Sequence, residues 1–271
     1  MEKSTYTLKT AREIEEKNRL DEVHFAFREY MDGKICFAPI YGTSPTKILE
    51  LGCGSGAWAI DAANDFPDAE IIAIDLSQTL EGIPLPKNVN FQIADVTQNF
   101  PFKQSSFDVV HTRLVLMHLP NAKDVLERAA KLVKPGGWLL VEDLDMRSLV
   151  ESGGPGVSQV ITRYIELLQA RGADAEIGRK LESMLKSTGS FSTIQAQRVA
   201  VPVCDDGSAP QTMARLGAAL KPVGKKLAAG WAQRFSDQGI TQELKKQFSE
   251  ELDTNFREVM LDMHFVWAQR V

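Results

Sequence analysis

Apolar positions along the chain follow two periods. Between Thr46 and Asp145, short apolar runs alternate with stretches of helical spacing. The runs Lys47–Leu51, Glu70–Asp75, Asn90–Ala94, Phe107–His111 and Trp138–Glu142 are β-branched or leucine-rich, as strands buried on both faces are. Between them, Ser55–Phe66 reads as a helix ended by Pro67. Asn121 is placed to cap a second helix through Val125, Leu126, Ala129, Ala130 and Val133, stopped by Lys134-Pro-Gly-Gly137. Strand and helix in alternation predict a doubly wound parallel sheet.

The flanks carry different patterns. Leu20, Val23, Phe27 and Met31 recur at helical spacing, giving an amphipathic N-terminal helix. Beyond the core, Ile161, Tyr164, Ile165 and Leu168 form one helical face. Ile177, Leu181, Met184 and Leu185 form another, closed by Gly189. Phe191–Val203 reads as a strand, and Val259, Leu261, Met263, Phe265 and Trp267 alternate with the period of a strand at the C-terminus. Between these two strands, Leu216, Leu220, Val223, Leu227, Trp231 and Phe235, broken by Pro222, and then Leu244, Phe248 and Leu252 have helical spacing. A connection of this length suggests a cap over a pocket. The expected organisation is a helical lid over residues 1–45 and a core over 46–271, with a helical cap at 204–253 inserted before the last strand.

Composition narrows the partners. The 271 residues are 44% hydrophobic and 25% charged, which excludes global disorder. Lys and Arg number 31 against 36 Asp and Glu, for a net charge of −5, and no polybasic run tracks a phosphate backbone, so nucleic acid is not the expected partner. Cys36, Cys53 and Cys204 lie far apart with no C-x-x-C pair, against a disulfide framework or a cysteine-built zinc site. No apolar stretch reaches the roughly 20 residues that cross a bilayer. The N-terminus lacks the apolar segment of a signal peptide, so the expectation is a cytoplasmic protein with no membrane partner. A homodimer is compatible with the sequence, which does not fix the assembly.

The chemistry-bearing segment is Leu49-Glu-Leu-Gly-Cys-Gly-Ser-Gly-Ala-Trp58. Glycines at 52, 54 and 56 clear the turn of side chains, so backbone N–H groups and the helix N-terminus can approach a ligand. Asp75 ends the next strand, where an acid can accept hydrogen bonds from ribose hydroxyls. Gly52-x-Gly54-x-x-Ala57 also satisfies the dinucleotide fingerprint, so an NAD-dependent oxidoreductase is one reading. Against it, Glu50 places a carboxylate near a cationic or amine-bearing ligand, Asp95 offers a second acid suited to an adenine amino group, and the alternating final strand is foreign to the usual dinucleotide domain.

The ordered segments ILELGCGSG, IIAIDLS, FQIADV, FDVVHTRLVLMHLP and LKPGGWLLVEDLD resemble the class I S-adenosylmethionine-dependent methyltransferases. NRLDEVHFAFREYMDGKICFAPI followed by GSGAWAIDAANDFPDAEIIAIDLS is similar to the fungal LaeA-like group, whereas LVLMHLP is closer to small-molecule enzymes of the UbiE-like type. The resemblance implies a Rossmann-like seven-stranded sheet with an antiparallel last strand, S-adenosyl-L-methionine as cofactor, and a small, secondary-metabolite-like acceptor methylated on O, N or S. A LaeA-like regulatory protein is the second implication. It further implies that Glu50, Gly52, Gly54 and Gly56 line the methionine part of the cofactor, that Asp75 holds the ribose and Asp95 the adenine, and that Leu76 and Val96 pack on the base. His111 and Arg113 would lie beside the methionine moiety and the acceptor mouth, and Arg19 and Tyr30 would close over the cofactor carboxylate.

Methyl transfer from a sulfonium is an in-line displacement that rests on positioning, and a base serves only acceptors that must lose a proton. His118 is a candidate for that role or for shaping its loop, and His111 is a second catalytic candidate or lines the cofactor pocket or packs. His24 reads as a helix-face residue with a local hydrogen bond, and His264 as structural. Asp143 and Asp145 follow the fifth strand at the carboxyl edge of the sheet, where ligands of such folds sit, or are solvated loop charges; no His and Asp/Glu pair has metal-ligand spacing, so no metal is expected. Met213, Trp231, Phe235 and Phe248 are candidates for an apolar acceptor wall or for packing the cap.

Overall fold

The computed structural model describes residues 11–77, 84–204, 207–234, 241–253 and 259–271, with the side chains of 11–13, 204 and 223–234 outside that description. Seven strands form one sheet: β1 (Lys47–Leu51), β2 (Glu70–Asp75), β3 (Val89–Ile93), β4 (Phe107–Arg113), β5 (Val133–Asp145), β6 (Phe191–Cys204) and β7 (Val259–Arg270). Their order is β3-β2-β1-β4-β5-β7-β6. The first five are parallel, and β7 enters antiparallel between β5 and β6. The sheet order reverses direction at β1 and β4, so the ends of these strands open the crevice where ligands of such sheets bind.

Alternation within the strands divides the core. Leu49, Leu51, Ile74 and Val110 face one apolar cluster, while Ile48, Ile71, Ala73 and Val109 face the other. Helix α2 (Ala57–Asp65) covers the second face with Trp58 and three buried alanines. On the first face lie α3 (Ala122–Leu132) and α5 (Pro155–Gln169), the latter preceded by α4 (Arg147–Ser152). Helix α1 (Ala11–Tyr30) lies over the same face and buries Val23, Phe27 and the following Met31, the stripe that the helical spacing predicts. After α6 (Leu181–Ser187) and β6, helices α7 (Gln211–Arg234) and α8 (Gln242–Asp253) precede β7. Helix α7 packs on α1, and Arg215 of α7 pairs with Glu29 of α1 at 2.6 Å. Helix α8 packs on α5, where Glu251 accepts the N–H groups of Gly156 and Val157 at 2.7 and 2.8 Å.

Three local expectations are corrected. Asn121 precedes α3 but is left-handed (φ 58°) and makes no side-chain cap. Pro222 sits inside a continuous α7 instead of breaking it. The fifth strand runs on to Asp145 because β7 pairs with it as far as Asp145↔Asp262, so Asp143 and Asp145 are not solvated loop charges: each is only 1% exposed. Among the described residues, no helix is long and apolar enough to cross a membrane.

Candidate active site

Two cavities meet above the carboxyl ends of β1 and β4. The first, of about 450 Å³, is bounded by the glycine turn, the ends of β2 and β3, and one face of α1. The second, of about 360 Å³, lies between α1, the β4–α3 connection, α4 and the helices that precede β7. Leu20, Val23, Leu114 and His118 line both.

The glycine turn is shaped by close approach. Gly52, Gly54 and Gly56 are all left-handed, with φ of 70°, 54° and 75°. A Cβ on Gly52 would stand 2.4 Å from Val115 Cγ2, and one on Gly54 would meet Leu20 of α1 at 3.2 Å. The turn is tied to β2 through Gly54 N–H, which donates to Asp75 Oδ2 at 2.8 Å, while Ser77 donates twice to Asp75 Oδ1. Asp95 accepts from Thr97 N–H and hydroxyl at 2.8 and 2.7 Å, bonds that hold its carboxyl below the usual range. Both carboxylates line the first cavity, as do Val96 and the 71% exposed Leu76. A large apolar side chain open to that extent at a cavity rim is a surface that a ligand would cover.

At the other end of this cavity the groups are buried and charged. Glu50 is 4% exposed and its Oε2 has no hydrogen-bond partner. His111, fully buried, stacks on Trp58 with ring centroids 3.8 Å apart, and its nitrogens lie 3.6 Å from Glu50 and 3.7 Å from Glu142. Arg113 Nε donates to Glu142, whose carboxyl Arg113 and His111 hold below its usual range against the opposing effect of burial.

The inward face of α1 is the expected one, but it carries His24 to the cofactor-side cavity. His24, not Arg19 or Tyr30, reaches the first cavity. Arg19 lines the second cavity and pairs with Glu16 at 2.5 Å, and Tyr30 packs edge-on against Phe37. His24 is 5% exposed, with Nε2 at 2.8 Å from Asp61 of α2 and Nδ1 at 3.3 Å from Arg113, so its contacts are long-range and not local. Its sequence signal was present: Leu20, Val23, His24 and Phe27 share one helical face.

His118 ends a 3₁₀ turn, Leu116–His118, between β4 and α3. Its ring is exposed, but into the two cavities, and the surrounding protein lowers its pKa below the ordinary histidine value. A neutral imidazole at neutral pH is a proton acceptor. The turn is braced from below by Asp143, which accepts from Met117 N–H at 3.2 Å and Leu144 N–H at 2.9 Å. Complete burial pushes the Asp143 carboxyl up to about 7. Leu114, just before the turn, is held left-handed at φ 57°, the kind of backbone strain that concentrates at ligand sites.

The second cavity is apolar over most of its wall, including Met117, Leu144, Leu149, Val157, Leu220 and Phe248, with Glu16, Arg19 and Lys221 as its charged groups. Phe248 lines this cavity, and Met213 packs against the core outside it. The side chains of Trp231 and Phe235 lie outside the described residues. Sequence spacing also missed a cluster on β5 and β7, where Asp145, Asp262 and His264 bring ligand-type atoms within 4.8 Å of one another. Arg179 pairs with Asp145 and Arg198 with Asp262, supplying positive charge to both carboxylates. Cys36 and Cys53 are buried free thiols whose pKa values burial raises, the first to about 12, which leaves neither a ready nucleophile.

Residues 23–189 match the family described as the methyltransferase domain. The chain belongs to that family. It is a methyltransferase with S-adenosylmethionine as its cofactor, and the oxidoreductase reading of the glycine turn falls away. Relatives include fungal methyltransferases. The chain is 44% identical to methyltransferase str3 of Strobilurus tenacellus over 190 residues, covering 69% of this chain and 68% of that one. It is 36% identical to methyltransferase str2 of the same fungus over 240 residues, covering 86% and 84%. Among solved structures, phosphoethanolamine N-methyltransferase 2 of Haemonchus contortus, in complex with S-adenosyl-L-methionine, shares the fold with a TM-score of 0.55 and 18% identity. That match covers 98% of this chain and 61% of that one.

Proposed function

We propose that the first cavity holds S-adenosylmethionine and that the second holds a small, largely apolar acceptor, with His118 between them. The observation that carries this reading is that Leu20, Val23, Leu114 and His118 belong to both walls. The donor set of the first cavity suits the cofactor in two halves. Asp75 and Asp95 provide acceptors for ribose hydroxyls and an adenine amino group, and Leu76 and Val96 give the base apolar cover. At the opposite end, the unpartnered Oε2 of Glu50 suits an ammonium group. When bound, the cofactor supplies a methyl group activated by a sulfonium leaving group.

The protein's own part is alignment, exclusion of water and proton management. The apolar wall formed by Leu144, Leu149, Val157 and Phe248 buries the acceptor body and leaves its reacting heteroatom at the polar junction beside His118. For a phenol, enol or carboxylic acid acceptor, neutral His118 accepts the proton lost as the bond to carbon forms, and Asp143 holds the turn that aims it. Lid residues Glu16, Arg19, Leu20 and Val23 and cap residues Leu220, Lys221, Phe248 and Leu252 line this second cavity together with the core, and exchange of the acceptor class follows from changes among them.

The test is transfer of labelled methyl from the cofactor into fractionated fungal metabolite pools, with mass analysis of the labelled product. A labelled methyl ether or ester of an apolar oxygen acid as the product supports the reading. With such an acceptor, His118→Asn is expected to lower turnover about 10²-fold or more, the scale of general-base catalysis, with little change in affinity for S-adenosylhomocysteine. Binding of cofactor with no methylated product in any fraction supports the regulatory reading instead.

A further inference from the structure

We infer that His24 and Phe27 of the lid helix orient the Arg113 guanidinium as the subsite for the carboxylate of the cofactor's methionine arm. The inference rests on the assignment of the first cavity to S-adenosylmethionine. Arg113 is the single arginine or lysine lining that cavity among the described residues, and its side chain is 9% exposed. Every group that fixes it is on the page. Nε donates to Glu142, the NH1 group lies 3.3 Å from His24 Nδ1, and the NH2 group donates to the Ile35 carbonyl at 3.3 Å. Its Cζ lies 4.9 Å above the ring of Phe27.

The protonation pattern follows from these contacts. His24 Nε2 faces the Asp61 carboxylate at 2.8 Å and therefore carries the proton, which leaves Nδ1 to accept from Arg113. Burial lowers the pKa of His24, in keeping with a neutral ring. A guanidinium has five N–H donors. Three are engaged by Glu142, His24 and Ile35, and two remain for a ligand at the cavity wall. A carboxylate is the anion that such a planar pair of donors matches.

The arrangement separates the two charges of an amino acid arm. Glu50, with its unpartnered oxygen, takes the ammonium, and Arg113 takes the carboxylate. Because two of the contacts to Arg113 come from α1, the subsite is complete only with the lid in place. His24 is a positioning residue here, since it acts through Arg113, and its anchor on α2 is shared with Arg28, which pairs with Asp61 at 2.8 Å and Asp65 at 2.9 Å.

The experiment compares calorimetric binding of S-adenosylhomocysteine with that of 5′-methylthioadenosine, which keeps the nucleoside and lacks the amino acid arm. It uses the full chain and its His24→Leu, His24→Asn and Arg113→Met variants. Loss of a charge-assisted hydrogen bond weakens binding by about tenfold or more. His24→Leu and Arg113→Met are expected to lose at least that factor for S-adenosylhomocysteine and to bind methylthioadenosine within about twofold of the parent. His24→Asn, whose side-chain oxygen can accept from Arg113 in place of Nδ1, is expected to recover most of the loss. Methylthioadenosine binding also reports that each variant is folded. Equal weakening of both ligands, or no change in either, overturns the inference while leaving the cofactor assignment standing. A parent chain that binds neither ligand overturns both.

Discussion

Gly52 allows the closest approach in the cofactor turn, and its replacement by alanine has a cost that can be divided into two parts. At φ 70° an L-residue is strained by roughly 1–2 kcal/mol. The new Cβ would also lie 2.4 Å from Val115 Cγ2, so about an ångström of overlap must be absorbed before ordinary contact is restored. Overpacking of this kind costs about 1–3 kcal/mol, and the reduced freedom of the unfolded chain returns about 0.4–1 kcal/mol. Gly52→Ala is therefore expected to destabilise by about 1–5 kcal/mol in urea denaturation. Val115→Ala removes both offending methyl groups and leaves Val115 Cβ at 3.4 Å, an ordinary contact. The double variant should recover the overlap part and retain the backbone part, giving a favourable coupling of about 1–3 kcal/mol. Because Val115 directly precedes the turn that carries His118, turnover should follow the same cycle. Additivity of the two single variants within about 0.5 kcal/mol would refute the reasoning, since it would mean that the two side chains do not compete for space.

Two further outcomes follow from the site. The Asp143 carboxyl, raised to about 7 from an ordinary 3.8, holds its proton more tightly in the folded chain than in the unfolded one. Its contribution is complete below about pH 4 and is lost as pH rises through about 7, with a limiting slope of about 1.4 kcal/mol per pH unit. Asp143→Asn should remove that slope from urea melts between about pH 4 and 7, and parallel curves for parent and variant would contradict the assignment. In the second cavity, Leu149 is 6% exposed and lines the apolar wall. Leu149→Phe is expected to raise acceptor KM about tenfold or more, the cost of about 1.4 kcal/mol of lost fit, with unchanged affinity for S-adenosylhomocysteine; an equal loss for cofactor would show that the cavities are not separate in function.

The sheet was legible because its signals are local. The runs that became β1 and β2 coincide with the expected strands, and the alternation of Val259, Leu261, Met263 and Phe265 marked β7. What failed depended on partners distant in sequence. The fifth strand reads only as Trp138–Glu142, yet β7 supplies pairing along β5 to Asp145, and two acids that looked solvated become buried. For the lid, the buried stripe of the helix was readable, but Arg19 and Tyr30 were chosen by residue type, and neither lines the first cavity, which Leu20, Val23 and His24 reach. The cluster of Asp145, Asp262 and His264 was invisible for the same reason, since more than a hundred residues separate members that the β5–β7 register makes neighbours.

The pairing of Cys204 with Val259 has a consequence for how such a chain can change. The segment that covers the acceptor side departs from the sheet and rejoins it at one register position, so its two ends are neighbours whatever lies between. Closing a connection costs only about 0.6 kcal/mol more for each doubling of its length. A cassette with adjacent ends can be lengthened, shortened or exchanged while the sheet keeps its register, provided that the core contacts of Leu216, Leu220, Phe248 and Leu252 are matched. Chimaeras joined at Cys204 and Val259 therefore exchange the Leu220, Phe248 and Leu252 part of the second cavity while leaving the wall from Leu144, Leu149 and Val157 in place.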